Sequence, residues 1–150
     1  MNGQDLQKPN EVLEDISALE YILLGDLRDL LEEAKEDAIA WKWIAAIVDT
    51  LLEKMPVEFA MRDCGGYMEE VLEEHPNWQG EVETLYCERC ELFKKLGELQ
   101  KQMLQSQSVR KIANELQHDL RDWINLYTDH RHHERRIVQN AFNYDIGAAD

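Results

Sequence analysis

The sequence predicts an all-α fold, an antiparallel up-and-down four-helix bundle with a short extra helix between the second and third helices. Apolar residues recur at steps of three and four along four long stretches, which is the spacing of amphipathic helices. Only 3 prolines and 7 glycines interrupt the 150 residues, and β-branched runs are few. A chain of this length fits one domain, so residues 1–150 are expected to form a single bundle.

Charge and composition exclude several classes of partner. The formal net charge of −15 disfavours nucleic-acid backbones and anionic membranes, because both would repel the chain. The longest strongly apolar stretch, Trp43–Val48, is far too short to span a bilayer. The first residues lack the basic start and apolar run of a secretory signal, and 3 cysteines suit a reducing compartment. We therefore expect a cytoplasmic protein.

The first helix is expected after an irregular lead of residues 1–9, with Asn10 as its N-cap. Its predicted apolar seam consists of Ile16, Leu19, Leu23, Leu27, Leu30 and Ala34. Residues 35–37 form a polar break, and Asp37 is predicted to cap the second helix. The seam of that second helix consists of Trp41, Ile44, Val48, Leu51, Met55 and Phe59.

The end of the second helix carries the first candidate site residues. Glu58 and Arg62 are four residues apart, so they share one face of the helix with Met55. Residues 64–66, Cys-Gly-Gly, are expected to end the helix because glycine adopts a positive φ without steric cost. A short helix and a turn at residues 67–80 then lead to the third long helix.

The third helix contains a charged residue at a core position. Its seam consists of Val82, Leu85, Arg89, Leu92, Leu96, Leu99 and Met103. Arg89 is a permanent cation where the pattern requires a leucine, and a buried charge is costly unless it is paired and hydrogen-bonded. We therefore predict that protein groups neutralise Arg89 inside the bundle.

The fourth helix begins after Ser108, a favourable N-cap, and its seam becomes polar late. The predicted inner face consists of Ile112, Leu116, Leu120, Trp123, Tyr127, His130, His133 or Glu134, and Ile137. Residues 143–150 contain Gly147 and small side chains, and they are expected to leave the helix.

Counting residues from the predicted connections indicates which side chains share a height. Residues at equal distances from a turn lie level with one another in an antiparallel bundle. The count places six residues in one layer, namely Ile16, Glu58, Arg62, Leu85, Arg89 and His133. The sequence thus predicts a largely polar layer, built from all four helices, inside an otherwise apolar core.

Two segments carry a resemblance to a known family. Residues 56–72, PVEFAMRDCGGYMEEVL, resemble the end of the second helix in one branch of the hemerythrin-like (HHE cation-binding) family. Residues 133–147, HERRIVQNAFNYDIG, resemble the last helix and tail of that branch. The resemblance implies a four-helix bundle that holds a pair of irons in a polar layer.

Most of the iron ligands that the resemblance implies are absent. Their positions fall on Ile16, Glu58, Arg62, Leu85, Arg89 and Ile137 or Val138, and a histidine is kept at His133. One histidine and one displaced carboxylate cannot hold two irons. We interpret the chain as a degenerate member of the family, without a cofactor and without enzymatic activity.

The polar layer is then interpreted as a buried charge network in place of the metals. Its candidate residues are Glu58, Arg62, Arg89, His130 and His133, and Glu58 is expected to pair with Arg89. The expected role is structural, protein-interaction or sensing, with an unknown protein partner or self-association. Neither nucleic acid nor a membrane is an expected partner.

Two alternatives concern the same residues. Glu58 and Arg62 could extend outward and pair with surface charges. Glu58, His130 and His133 could instead form an altered ligand set for non-haem iron, in a protein that binds oxygen or senses oxidants.

Two further features allow more than one interpretation. Cys87 and Cys90 are expected to be buried or flanking structural cysteines rather than a redox or zinc pair. An exposed aromatic surface would favour a helical dimer in which that surface forms the interface.

Overall fold

The computed structural model describes residues 9–34, 37–63, 67–105 and 109–149. The helices are α1 (Pro9–Ala34), α2 (Ala38–Asp63), α3 (Tyr67–Glu74), α4 (Gln79–Gln105) and α5 (Val109–Ala149). A 3₁₀ turn, Pro76–Trp78, joins α3 to α4. No strand occurs within the described ranges, so the all-α prediction is confirmed. The short helix α3 lies between the second and third long helices.

Local sequence signals explain where the first two helices begin. α1 starts at Pro9, which the first helical turn tolerates because an N–H at that position has no intrahelical partner. Asp37 caps α2 as predicted, since its Oδ1 accepts a 2.9 Å hydrogen bond from the backbone N–H of Ile39. Of the irregular lead predicted for residues 1–9, residues 1–8 lie outside the described residues, as does the helix stop predicted at residues 64–66. Pro9 already belongs to α1, so the predictions that Pro9 is irregular and that Asn10 is the N-cap are wrong.

The last helix is longer than the sequence predicts. α5 continues to Ala149, so the expectation that residues 143–149 leave the helix is wrong. A glycine costs a helix only about 1 kcal/mol relative to alanine, and the following alanines favour helix, so Gly147 does not end α5. Asp150 lies outside the described residues.

The four long helices pack against one another in pairs. α1 contacts α2 and α5, and α4 contacts the same two helices, whereas α3 contacts α2 and α5. Within the described part of the chain, no helix has an apolar stretch long enough to cross a membrane.

Two apolar clusters of different size fill the interior. The large core consists of the buried apolar side chains of residues 27–55, 92–103 and 113–127. The small core consists of Met68, Val71, Val82, Leu85, Ile137 and Ala141. The seam predicted for α4 is confirmed, because each of its members, from Val82 to Met103, is buried.

The inward face of α1 differs from the predicted one. Leu27 and Ala34 are buried as predicted, but Glu20 and Leu31 are also buried, and the rest of the predicted seam is only half-buried. Leucines occupy several adjacent directions around α1, so their spacing does not settle which face turns inward. The contacts with α2 and α5 decide it.

Candidate functional site

A layer of charged side chains separates the two apolar clusters. On α4, Arg89 lies one turn from Leu85 of the small core and one turn from Leu92 of the large core. All four long helices contribute ionisable groups at this boundary. The charged layer, as we call it, consists of Glu20, Glu58, Arg62, Asp63, Glu88, Arg89, His130, Arg131, His133 and Glu134. It therefore contains the five predicted site residues, Glu58, Arg62, Arg89, His130 and His133.

Arg89 is neutralised by protein groups at the centre of the layer. The residue is 3% exposed, and its guanidinium forms ion pairs with Asp63 and with Oε1 of Glu134, the latter at 3.3 Å. The rings of Phe59 and Tyr86 lie 5.5 and 5.4 Å from the guanidinium carbon, within range of cation–π attraction. Two carboxylates and two aromatic faces thus surround the guanidinium and balance its charge, although its Nε and Nη2 atoms are buried without a hydrogen-bond partner among the described residues.

The predicted pairing of Arg89 with Glu58 is wrong. Asp63 and Glu134 occupy the guanidinium of Arg89, while Glu58 pairs with other cations. Asp63 follows Glu58 by five positions in the helix, which turns the directions of the two side chains about 140° apart around α2. Asp63 consequently reaches α4, and Glu58 reaches α5.

Glu58 and Arg62 form the part of the layer that α2 contributes. Glu58 is fully buried, and its Oε1 accepts a 2.8 Å hydrogen bond from Nε of Arg62 and another from Arg131. Arg62 also donates at 2.9 Å to Oε1 of Glu134 and at 2.9 Å to Oγ of Ser17. The alternative in which Glu58 and Arg62 extend outward is therefore wrong. Arg62 links three helices through one planar group.

A second cluster within the layer joins α5 to α1. Glu20 is 2% exposed and accepts a 2.7 Å hydrogen bond from the hydroxyl of Tyr127. Nη1 of Arg131 lies 3.6 Å from Oε2 of Glu20 and also pairs with Glu58. Burial, and then the charge of Glu58, raise the pKa of Tyr127 well above its ordinary value, so its hydroxyl stays protonated and donates.

His130 and His133 meet on a single carboxylate at the outer edge of the layer. Nδ1 of His130 lies 2.9 Å from Oε1 of Glu88, and Nδ1 of His133 lies 3.2 Å from the same oxygen. Burial lowers the pKa of His130, which favours the neutral ring. Burial alone would raise the pKa of Glu88, but hydrogen bonds from His130 and His133 bring it below its ordinary value.

Charges of opposite sign offset the effect of burial on the pKa values of Glu134 and Arg131. Burial alone would raise the pKa of Glu134, but the charges of Arg62, Arg89 and Arg131 lower it. Burial alone would lower the pKa of Arg131, but the charge of Glu58 raises it. Each ion thus depends on a partner of opposite sign, and we expect that removing one partner leaves an uncompensated buried charge.

The layer does not satisfy all of its hydrogen-bonding groups. Oε2 of Glu58 and Nε2 of His130 are buried without a hydrogen-bond partner among the described residues. Unsatisfied buried groups reduce the net stability that a charge network provides. We therefore expect the layer to define helix alignment more than to add stability.

The residues of the layer do not fit the pair of irons that the hemerythrin-like resemblance implies. Arg62 and Arg89 both contact Oε1 of Glu134, so two guanidinium groups occupy the carboxylate that a metal would need. Cations at this distance would also repel a metal ion. The other ligand positions fall on Ile16, which is half-buried, and on Leu85, which lies in the small core.

The alternative iron ligands do not converge in this structure. Glu58 is bound by Arg62 and Arg131, whereas His130 and His133 are bound by Glu88. Among the residues that the structure describes, no group of three or more His, Cys, Asp or Glu side chains has a geometry that suits a metal ion.

Cys87 and Cys90 take no part in the charged layer. Both are free and exposed on α4, so of the two predicted positions, buried or flanking, the buried one is wrong. The apolar seam of α4 faces the interior of the bundle. Neither cysteine belongs to that seam, so both lie on the outer face of the helix. Cys64 lies outside the described residues.

Several residues of the charged layer were not predicted from the sequence, and some of them follow from a consistent spacing of three and four residues. Glu20, Leu24, Leu27, Leu31 and Ala34 follow steps of four and three, which puts an acid at a core position of α1. On α5 the same steps relate Tyr127, His130, Glu134 and Ile137. Arg131, Asp63 and Glu88 flank their seams, and spacing gives no signal that they turn inward.

Comparison with known proteins identifies no relative. No family model matches the chain, and neither the curated proteins nor the solved structures include a significant match. The hemerythrin-like resemblance consequently stays a hypothesis.

Proposed function

We propose that this protein is a non-enzymatic, hemerythrin-like bundle in which a buried charge network takes the place of a di-iron site. Its role is structural or one of protein interaction, with sensing of a small ligand as a variant of that role. The observation that carries the proposal is the position of Arg62 and Arg89, which both contact one oxygen of the buried carboxylate of Glu134.

The antiparallel up-and-down arrangement of the four long helices belongs to this proposal. Between α5 and α1, Gln117 donates to the carbonyl of Leu31, and Tyr127 donates to Glu20. The contacted residue of α1 thus moves toward its N-terminus as the contacting residue of α5 moves toward its C-terminus. On α4 and α5, Trp123 donates to the carbonyl of Leu92, while His130 contacts Glu88. These opposed contacts support helices that alternate in direction.

We propose that the protein has no enzymatic activity because the buried carboxylates of the charged layer are paired with cations. Glu58 and Glu134 each accept hydrogen bonds or ion pairs from two cations, so both carboxylates are already engaged. A general base needs a carboxylate that is available to take a proton from a substrate. A network of this kind suits alignment of helices better than proton transfer. A cytoplasmic location and a protein partner, another copy of the chain included, complete the proposal.

Metal analysis of the purified protein tests the proposal. We expect far less than one iron per chain and no visible absorption, before and after incubation with ferrous iron without oxygen. The thermal midpoint should also stay unchanged with iron, because a metal that binds the folded state would stabilise it. The variant Arg89→Met is the matched control. It removes one guanidinium but adds no ligand, so we expect it to bind no more iron than the wild type.

Stoichiometric iron, or an iron-dependent rise of the thermal midpoint, would contradict the proposal. Such a result would favour the non-haem iron alternative with Glu58, His130 and His133 as ligands. His133→Ala should then abolish the iron-dependent change.

A further inference from the structure

The outer surface between α1 and α2 carries apolar side chains that the bundle does not bury. A groove of about 620 Å³ runs between these two helices and is lined by Leu23, Leu30 and Ile47. We call these residues its floor, because Leu23 and Leu30 are half-buried and Ile47 is buried. Trp43 lines the groove and is 61% exposed. Ile39, one turn before Trp43 on α2, is also exposed. α2 thus presents apolar residues both to the large core and to the outside, which is typical of a helix that is covered on both sides.

One side of this α1–α2 groove is uniformly acidic. Asp26, Asp29 and Glu33 line it, and their spacing of three and four residues places them in a single row along α1. All three are exposed, and no lysine or arginine is among the described residues that line the groove. The row spans the eight residues from Asp26 to Glu33, which is about 10 Å of helix.

We propose that the α1–α2 groove binds a basic amphipathic helix of another protein. The apolar face of such a helix would cover Trp43 and the leucines of the floor, as in other complexes that seat a helix in a groove. Lysine or arginine residues at steps of three and four would face the acidic row of α1. A groove that is apolar along its floor and carries one sign of charge along its rim matches this occupant in both shape and charge.

The charge of the chain disfavours the other occupants. A second copy would bring the same acidic row and another net charge of −15 to the interface. An anionic membrane would be repelled for the same reason. The groove also shares no residue with the charged layer, so this inference goes beyond the function proposed above and can fail or succeed independently of the iron measurements.

Fluorescence anisotropy with the full chain tests the inference. The probe is a labelled helical peptide of about 18 residues, roughly five turns, with leucines on one face and lysines on the other. A scrambled peptide of the same composition serves as the control probe, because it has the same charge without an amphipathic face. We expect the amphipathic peptide to bind and the scrambled peptide to bind at least about tenfold more weakly.

Matched variants separate the groove from general attraction between opposite charges. D26K/D29K/E33K should weaken peptide binding by at least about tenfold. E81K/E98K/E115K changes the net charge by the same amount at exposed positions of α4 and α5 and should weaken binding by less than about twofold. Trp43→Ala should also weaken binding, and because Trp43 is largely exposed, this variant decides the outcome if the triple variant folds poorly.

Three results would overturn the inference. Equal loss of affinity in both triple variants would show that the peptide is attracted by the net charge of the chain and not by the groove. Equal binding of the scrambled peptide would show that an amphipathic face is not required. A dimer in sedimentation that Trp43→Ala dissociates, without peptide binding, would make a second copy the occupant.

Discussion

The large core and the charged layer stabilise the same bundle by opposite means. Side chains such as Leu51 and Leu96 are fully buried in the large core, and their burial is favourable in any orientation that fills the space. The charged layer buries Glu58 and Arg89 almost as completely, although each ion loses its hydration there. The layer regains that cost only where its hydrogen bonds have the right distance and direction.

The difference indicates a division of roles between the two regions. Apolar contacts tolerate a small displacement of one helix along another, because dispersion and hydrophobic burial are not directional. A guanidinium that reaches two carboxylates on different helices, as Arg62 and Arg89 do, tolerates little displacement. We expect the large core to supply most of the free energy of folding and the charged layer to define the register of the helices.

The largest expected effect comes from breaking one buried ion pair. Glu58→Gln should lower the free energy of unfolding by about 3–5 kcal/mol, because Arg62 and Arg131 would both lose their shared carboxylate inside the bundle. Urea unfolding followed by circular dichroism measures the change. Glu53→Gln, at an exposed position of the same helix, is the control and should leave stability near the wild-type value. A similar small effect of both substitutions would mean that Glu58 is not energetically buried.

A truncation in the large core gives the apolar reference. Leu96→Ala should cost about 2–5 kcal/mol, since Leu96 is fully buried and its removal leaves a cavity. Unlike Glu58→Gln, it should leave the helices in their register, so amide exchange protection should fall uniformly rather than at the layer. Leu104→Ala, at a site that is 74% exposed, is the matched control and should have little effect. Equal patterns of exchange in Leu96→Ala and Glu58→Gln would contradict the division of roles.

A double-mutant cycle measures whether the layer acts as a unit. Arg89→Met alone leaves Glu134 short of one cation, and Glu134→Leu alone leaves Arg89 with Asp63 as its remaining carboxylate. The double variant removes both charges while Arg62 keeps Glu58, so its cost should be below the sum of the single costs by about 0.5–3 kcal/mol. Additive costs in urea unfolding would mean that the two residues do not interact.

The smallest effect concerns pH. The folded-state pKa of His130 is lowered, because burial favours the neutral ring. The stability that neutral His130 contributes is therefore fully present above its ordinary pKa of 6.5 and is lost as the pH falls through its lowered folded-state pKa. The lowered pKa values of Glu88 and Glu134 add stability that is present above their ordinary value of 4.5 and is lost as the pH falls through their folded pKa values. The urea midpoint should therefore fall between pH 7 and pH 5 and fall faster below about pH 4.5.

Glu134→Gln is the control for this pH dependence. It should reduce the loss of stability below about pH 4.5 without removing the loss that His130 causes at higher pH. His130→Phe should remove the decline between pH 7 and pH 5 instead. A wild-type urea midpoint that stays constant from pH 7 to pH 4 would contradict the burial of these groups.

Some of the site follows from spacing along the chain. The seam of α4 put Arg89 among leucines, and burial of that seam is confirmed residue by residue. The identity of its partners could not be predicted, because Asp63 and Glu58 lie on different faces of α2 and only the packing of α4 and α5 shows which face meets Arg89. Arg131 and Glu88 were missed for a related reason, since long side chains at the edge of a seam can turn inward or outward.

The sequence by itself determined that the chain is helical, that α4 buries its seam, and that a permanent cation lies in that seam. These properties depend on local propensity and on a periodicity that a single helix already contains. The tertiary structure alone decided which face of α1 turns inward, that Arg89 pairs with Asp63 and Glu134, and that Glu88 joins His130 to His133. Those choices depend on how the helices rotate and slide against one another, and a spacing rule within one helix contains no information about its neighbours.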